Sequence, residues 1–168
     1  MSDDDSRTPA LGDPGEPSLI LDDQLCFTLY AASRAVTGVY RPLLDAVGLT
    51  YPQYLVMLAL WQHGVTPVKD LVTALQLDYG TLTPLIKRLE TNGLLKRRRR
   101  PDDERVVEVV LTPDGAALRE RILTVPPVIG DAMGLTPEEI QTVQSLLRRL
   151  SANVLRHTTG TTPTPASS

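Results

Sequence analysis

Apolar positions recur at helical spacing along most of this chain, and one segment near the middle changes period. From Asp22 to Tyr40, the residues Leu25, Leu29, Ala32, Val36 and Val39 mark one helix face, and Pro42 marks a break or kink near its end. Thr50 and Gln53 form a capping box for a helix from Tyr51 to Gln62, which Gly64 ends. Thr66-Pro67 reads as a cap followed by proline at the first helical position, opening a helix from Thr66 to Leu75. After the turn Gln76-Leu77-Asp78, with Asp78 as cap, a further helix runs from Tyr79 to Asn92 and carries Pro84 inside it. Beyond Gly93 the pattern becomes extended: strands from Leu94 to Arg100 and from Arg105 to Leu111, joined by Pro101-Asp102-Asp103-Glu104. Thr112-Pro113 starts another helix, which Pro126-Pro127 interrupts or bends. Thr136-Pro137-Glu138-Glu139 is a capping box that opens a last amphipathic helix to about His157. The predicted fold class is mainly α with a small β wing.

Two short helices, a turn and a hairpin make a winged helix-turn-helix, a device for placing one helix in the DNA major groove and a hairpin on the flanking backbone. The run Lys96-Arg97-Arg98-Arg99-Arg100 puts five cations on that hairpin. On the second helix Tyr79, Gly80, Thr81, Thr83, Lys87 and Arg88 lie on or near the face away from Leu82, Leu85, Ile86 and Leu89. The tyrosine and threonines suit base edges and phosphates, and Lys87 and Arg88 suit phosphates. Residues Arg98 to Arg100 alternate sides of a strand, so not all of them reach DNA; Arg98 and Arg100 are the phosphate candidates, with Asp102 and Arg105 at the turn. Arg105 can instead pair with Asp102 or Asp103 and stiffen that turn. A basic hairpin also suits RNA or an acidic protein.

Net charge of −3 and a pI near 5.4 look wrong for such a partner until the charge is mapped. Residues 1–23 hold seven acids against one base, whereas residues 81–105 hold eight bases against four acids. Local phosphate contacts set DNA affinity, so an acidic total does not oppose it. Residues 1–18, acidic and rich in Pro, Gly and Ser, and residues 158–168, made of Thr, Gly, Pro, Ala and Ser, are expected to be disordered tails. Between them, 19–157 is expected to form one regulator domain, with 50–111 for DNA and 19–49 and 112–157 for dimerisation. Paired half-sites need two recognition helices held about one DNA turn apart, and the flanking helices are not needed for DNA contact itself. No signal peptide is read after Met1, and the longest apolar run, Tyr54 to Trp61, is far short of a membrane span. The expected location is the cytoplasm, with no membrane partner.

Cys26 is the one cysteine, so it cannot form an internal disulfide. It lies about one turn into the first helix, where the dipole assists a thiolate and Asp22 and Asp23 oppose it. A lone cysteine on an amphipathic helix is ordinarily a small core residue. Here Cys26, Tyr30, Ser33, Thr37 and Tyr40 share one face, which is unusual for a plain core. Tyr40 is 14 residues from Cys26, about 21 Å along a straight helix, so the two meet only if a second copy crosses antiparallel.

These segments resemble the MarR family of winged-helix repressors, and within it the OhrR branch of organic hydroperoxide resistance regulators. Leu21-Asp22-Asp23-Gln24-Leu25-Cys26-Phe27, Tyr40-Arg41-Pro42-Leu43-Leu44-Asp45 and Gly48-Leu49-Thr50-Tyr51-Pro52-Gln53-Tyr54 carry the more specific part of the likeness. Leu77 to Leu85 and Asp102-Asp103-Glu104-Arg105 carry the part common to the family, and the whole covers about residues 19 to 155. The resemblance implies that Cys26 is the peroxide-sensing thiol and that Tyr40 and Tyr51 hydrogen-bond it from the partner chain. It implies oxidation to a sulfenic acid, then a disulfide, with loss of the operator. No second cysteine is present, so the one-cysteine type is implied, in which a low-molecular-weight thiol captures the sulfenate. One departure is Tyr79, where the family pattern has a serine before the glycine.

Two other functions compete. A peroxidase would use Cys26 as nucleophile but lacks a resolving thiol; steady peroxide consumption would favour it. A repressor released by a phenolic or other aromatic ligand would leave Cys26 inert. His63, His157 and one cysteine make no metal-ligand cluster, and no cofactor is expected.

Overall fold

The computed structural model describes residues 18–160, with side chains through residue 158. The elements run α1 (Leu25–Asp45), α2 (Tyr51–His63), β1 (Thr66–Pro67), α3 (Val68–Leu75), α4 (Tyr79–Thr91), β2 (Leu95–Arg99) and β3 (Val107–Leu111). They continue with α5 (Pro113–Ile122), α6 (Val125–Met133) and α7 (Pro137–Gly160). The chain divides into two compact units at Ile129/Gly130.

The first unit is organised around α2. That helix is apolar nearly all round, the pattern of a helix enclosed by others. Tyr54, Val56, Met57, Ala59 and Leu60 are all buried in it. The predicted capping box is present: the Gln53 N–H donates to Thr50 Oγ1 and the Thr50 N–H to Gln53 Oε1. From α4, Leu82, Ile86 and Leu89 close onto this core, together with Leu71 of α3, Leu95 of β2 and Val109 of β3. A close approach locks α5 against the sheet. A Cβ built on Gly115 would lie 1.8 Å from the Leu94 carbonyl oxygen, while the Gly115 carbonyl accepts a hydrogen bond from Trp61 Nε1 at 2.9 Å. We therefore expect Gly115→Ala to lower stability by about 2–3 kcal/mol, measured by chemical denaturation.

The wing differs from a two-stranded hairpin. Thr66 and Pro67 are not the cap and first residue of α3; they form β1, which pairs with Val109 and Glu108, so the sheet order is β1-β3-β2. The Thr66 hydroxyl donates to the Gly64 carbonyl rather than capping a helix, and Pro67 becomes the N-cap of α3. Between α3 and α4, Gln76 takes a left-handed conformation at φ 52°, and the Leu77 N–H returns to the Val72 carbonyl. That closure ends α3 in the manner of a Schellman turn and redirects the chain into α4.

Helix α1 begins later and ends later than its periodicity predicts. Leu21–Asp23 form a 3-10 turn, Gln24 is extended, and the helix proper starts at Leu25. Ser18 and Gln24 hold this turn: Ser18 Oγ donates to Asp23 Oδ2, and Gln24 Nε2 donates to the Ser18 carbonyl. Pro42 sits inside α1, which continues to Asp45. In α6, Pro126 and Pro127 fall in the first turn, where no intrahelical N–H is needed, so the break comes at Leu123-Thr124 instead.

The second unit holds α7. Its predicted capping box is present, with the Thr136 N–H donating to Glu139 Oε2 and the Glu139 N–H to Thr136 Oγ1. The helix runs to Gly160, so residues 158–160 are helical rather than tail. Ser18, also expected in a tail, instead bonds Asp23 and Gln24; the other residues expected to be disordered, 1–17 and 161–168, lie outside the described residues. No helix among the described residues is long and apolar enough to cross a membrane.

Candidate functional site

The sequence-predicted site residues fall in two groups, one on α4 and the wing, the other on α1 and α2. Asp78 caps α4 by accepting from both the Thr81 N–H, at 2.7 Å, and the Thr81 hydroxyl, at 2.9 Å. These two bonds hold the Asp78 carboxyl below its ordinary range. Thr81 is thus spent partly on the cap. Gly80 leaves room for it, since a Cβ there would meet Asp78 Oδ1 at 3.0 Å. Tyr79, Thr83, Lys87 and Arg88 are exposed, and Leu82, Ile86 and Leu89 are buried, as the helix pattern predicts.

The arginine run is divided by two carboxylates that the sequence reading did not single out. Glu90 of α4 accepts from the Arg97 backbone N–H and Nε, both at 2.9 Å, with Arg97 Nη2 at 2.7 Å. Glu108 of β3 accepts from Arg100 Nε at 2.8 Å and from Arg98 Nε at 3.3 Å. Arg100, with Arg98 behind it, holds the Glu108 carboxyl below its ordinary range. Arg99 donates to the Glu104 carbonyl at 2.7 Å, and Lys96 is exposed. At the turn, the Arg105 backbone N–H donates to Asp103 Oδ1 at 3.1 Å, and it is Arg100 Nε that lies 3.9 Å from Asp102. Glu108 is legible as the single acid in Val-Val-Glu-Val-Val, on the strand that returns from the cationic one. An open groove of about 630 Å³ separates α4 from the wing; Lys69, Tyr79, Thr83, Arg97, Arg100 and Arg105 are among its lining residues.

Cys26 is exposed, at the second position of α1 rather than one turn inside it. Tyr30, further along the same face, accepts a hydrogen bond from Arg34 Nη1 at 2.9 Å and is 58% exposed. The end of α1 meets the start of α2 through three tyrosines. Tyr40 lies 4.8 Å from Tyr51 and 5.6 Å from Tyr54, centroid to centroid. So the fold brings Tyr40 and Tyr51 together and leaves Cys26 on the same helix 14 residues away. Tyr54 is the member the sequence reading missed; its spacing of three from Tyr51 on a helix is the signal.

Burial, then Tyr54 and Tyr51, push the Tyr40 phenol up to about 12. The fold thus favours the neutral phenol over the phenolate at alkaline pH. The matching stability is present below the ordinary pKa of 10.0 and is lost as pH rises towards about 12. Chemical denaturation at about pH 9 and about pH 11 should show a larger alkaline loss in wild type than in Tyr40→Phe.

A model of the MarR family matches residues 49–107. The organic hydroperoxide resistance transcriptional regulator of Bacillus subtilis (strain 168) is 46% identical over 130 residues, which is 77% of this chain and 88% of that one. The chain belongs to the MarR family. Among solved structures of MarR-type regulators, overoxidised AbfR bound to DNA, from Staphylococcus epidermidis, is 34% identical with a TM-score of 0.68, covering 80% of this chain and 94% of that one. BpsR of Bordetella bronchiseptica, whose DNA binding is regulated by 6-hydroxynicotinic acid, is 31% identical with a TM-score of 0.73, covering 80% and 98%. This MarR-family chain is a transcriptional regulator, and its relatives and fold are those of regulators rather than enzymes.

Proposed function

We propose that this MarR-type regulator is a repressor that binds operator DNA as a homodimer and is released when organic hydroperoxides oxidise Cys26. The observation that carries the reading is the separation of an exposed thiol from a preformed pair of phenols. Cys26 stands at the start of α1, while Tyr40 and Tyr51 pack together at its far end. A second copy with α1 antiparallel brings each thiol to the other chain's Tyr40 and Tyr51, with Tyr30 alongside. Residues 19–49 and 112–157 serve dimerisation, and residues 50–111 serve DNA. On DNA, Tyr79, Gly80, Thr81 and Thr83 face base edges and nearby phosphates at the start of the recognition helix. Lys87 and Arg88 serve the backbone, as do Arg98, Arg100 and Arg105 of the wing, whose turn Asp102 helps to shape.

The chemistry is one oxidation per thiol. The sulfur attacks the peroxide O–O bond, giving Cys–SOH and the alcohol; a low-molecular-weight thiol then displaces water to form a mixed disulfide. The half-buried Phe27 and Leu29 beside Cys26 give an alkyl peroxide some apolar contact.

A second reading is release by an aromatic ligand with Cys26 inert, favoured by the likeness to BpsR. Titration of a protein–operator complex separates the two. Loss of binding at about one equivalent of cumene hydroperoxide per thiol is expected. Release by aromatic acids alone, with the thiol still titratable, would replace this reading with the second.

A further inference from the structure

We propose that Glu108 is a positioning residue for DNA binding, which sets Arg98 and Arg100 as a two-pronged clasp for backbone phosphates. The proposal rests on the DNA-facing reading of the wing given above.

Three observations lead to it. First, the position asks for something other than an acid. Glu108 stands between Val107 and Val109 on β3 and is 7% exposed, so a valine would satisfy the strand pattern. A carboxylate on a hairpin that approaches phosphates opposes binding unless it is offset. Second, its two oxygens are divided between two arginines, Arg100 at 2.8 Å and Arg98 at 3.3 Å. Arg98 is its register partner across β2 and β3, and Arg100 lies two positions on, about 7 Å along an extended chain. One oxygen accepts from each, and each arginine gives its Nε. Third, that choice of atom spares the ends of both guanidinium groups. An arginine has five N–H donors, and the terminal nitrogens of Arg98 and Arg100 make no hydrogen bond among the described residues. Arg97 is different, because its Nη2 lies against Glu90 as well.

A guanidinium fixed through Nε presents its remaining edge in a set direction. Arginine side chains otherwise lose rotamer freedom when they engage phosphate, and a clasp already held by Glu108 has met that cost during folding. The trio keeps a net positive charge, so phosphate attraction survives the internal pairing.

The sign of a substitution tests this. Glu108→Gln removes a negative charge from the wing, and simple electrostatics would tighten DNA binding. The clasp demands the reverse: affinity should fall about tenfold, and equally for operator and unrelated duplex, because phosphate contacts carry no sequence information. The same change made together with Arg98→Ala and Arg100→Ala should add no further loss. Arg98→Lys with Arg100→Lys keeps both charges and should lose as much as Glu108→Gln, since an ammonium has no second edge to offer. Unchanged or tighter binding by Glu108→Gln would overturn the proposal. So would an equal loss from Glu108→Gln in the alanine background, which would make the residue a support of the wing alone, or full affinity in the lysine pair. Wild type that binds no duplex would overturn the DNA-facing reading itself, and the clasp with it.

Discussion

Cys26→Ser is expected to bind operator DNA as tightly as wild type and to stay bound under organic hydroperoxide. The substitution exchanges sulfur for oxygen at an exposed position near the start of α1, away from the buried core and from α4 and the wing. Fold and reduced-state affinity should therefore stand. What is lost is the nucleophile, since a serine hydroxyl does not open a peroxide bond at neutral pH. The magnitude is large because the switch must be. Moving a population from almost fully bound to almost fully free takes about 5.5 kcal/mol of differential stabilisation. In the proposed dimer that sum has two sources: lost hydrogen bonds from Tyr40 and Tyr51 of the other chain, and steric expulsion of a bulky mixed disulfide from a packed helix interface. Both require a reactive sulfur. Fluorescence anisotropy of labelled operator, with and without cumene hydroperoxide, measures the outcome. Release of Cys26→Ser at the wild-type dose would remove the thiol from the mechanism and leave the DNA-binding assignment intact.

Most of the helices in this fold are legible because their signals are local. Thr50 with Gln53, Asp78, and Thr136 with Glu139 each cap a helix start within four residues, and each cap is present. The misreadings come where a tertiary partner overrides a local signal. Thr66-Pro67 carries a good helix-start pattern, yet β3 is close enough to take both residues as a strand. Gln24 is extended as the N-cap of α1, and its side chain turns back to the Ser18 carbonyl, a contact that helical periodicity does not register.

The candidate site divides in the same way. The exposed face of α4 follows from its spacing alone. The arginine run does not explain itself, because its chemistry depends on acids elsewhere in the chain: Glu90 is seven residues before Arg97, and Glu108 is ten after Arg98. Read as sequence, Lys96 to Arg100 are five equivalent cations. In the fold, Arg97 ties the wing to α4, Arg99 closes the hairpin, and Arg98 and Arg100 share one buried carboxylate. Tyr40 is legible from the face it shares with Cys26 and Tyr51 from the resemblance, whereas their packing together with Tyr54 arises only because α1 crosses the start of α2.

Breaking the apolar stripe of α7 is expected to give a monomer that has lost most of its operator affinity. Along this helix Ile140, Val143, Leu147, Leu150 and Val154 recur at alternating steps of three and four. That is the spacing of a seam that packs against another helix. Yet Val143 is 42% exposed, Leu147 39% and Val154 54%. A helix of 24 residues with its charged and apolar faces so separated is poorly served by water on the apolar side. In the proposed dimer this stripe is covered by the second copy. Val143→Glu with Leu147→Glu places two carboxylates in the seam, where each is desolvated without a partner, while leaving the core around α2 untouched. Sedimentation should then report the monomer mass, and circular dichroism an intact helical fold. Operator affinity should fall by about 10²–10⁴-fold, because a monomer engages one half-site and forfeits the effective concentration that joins the second. Affinity for a single half-site should barely change. A variant that remains dimeric, or a monomer that holds the full operator as tightly as wild type, would remove α7 from the dimerisation layer.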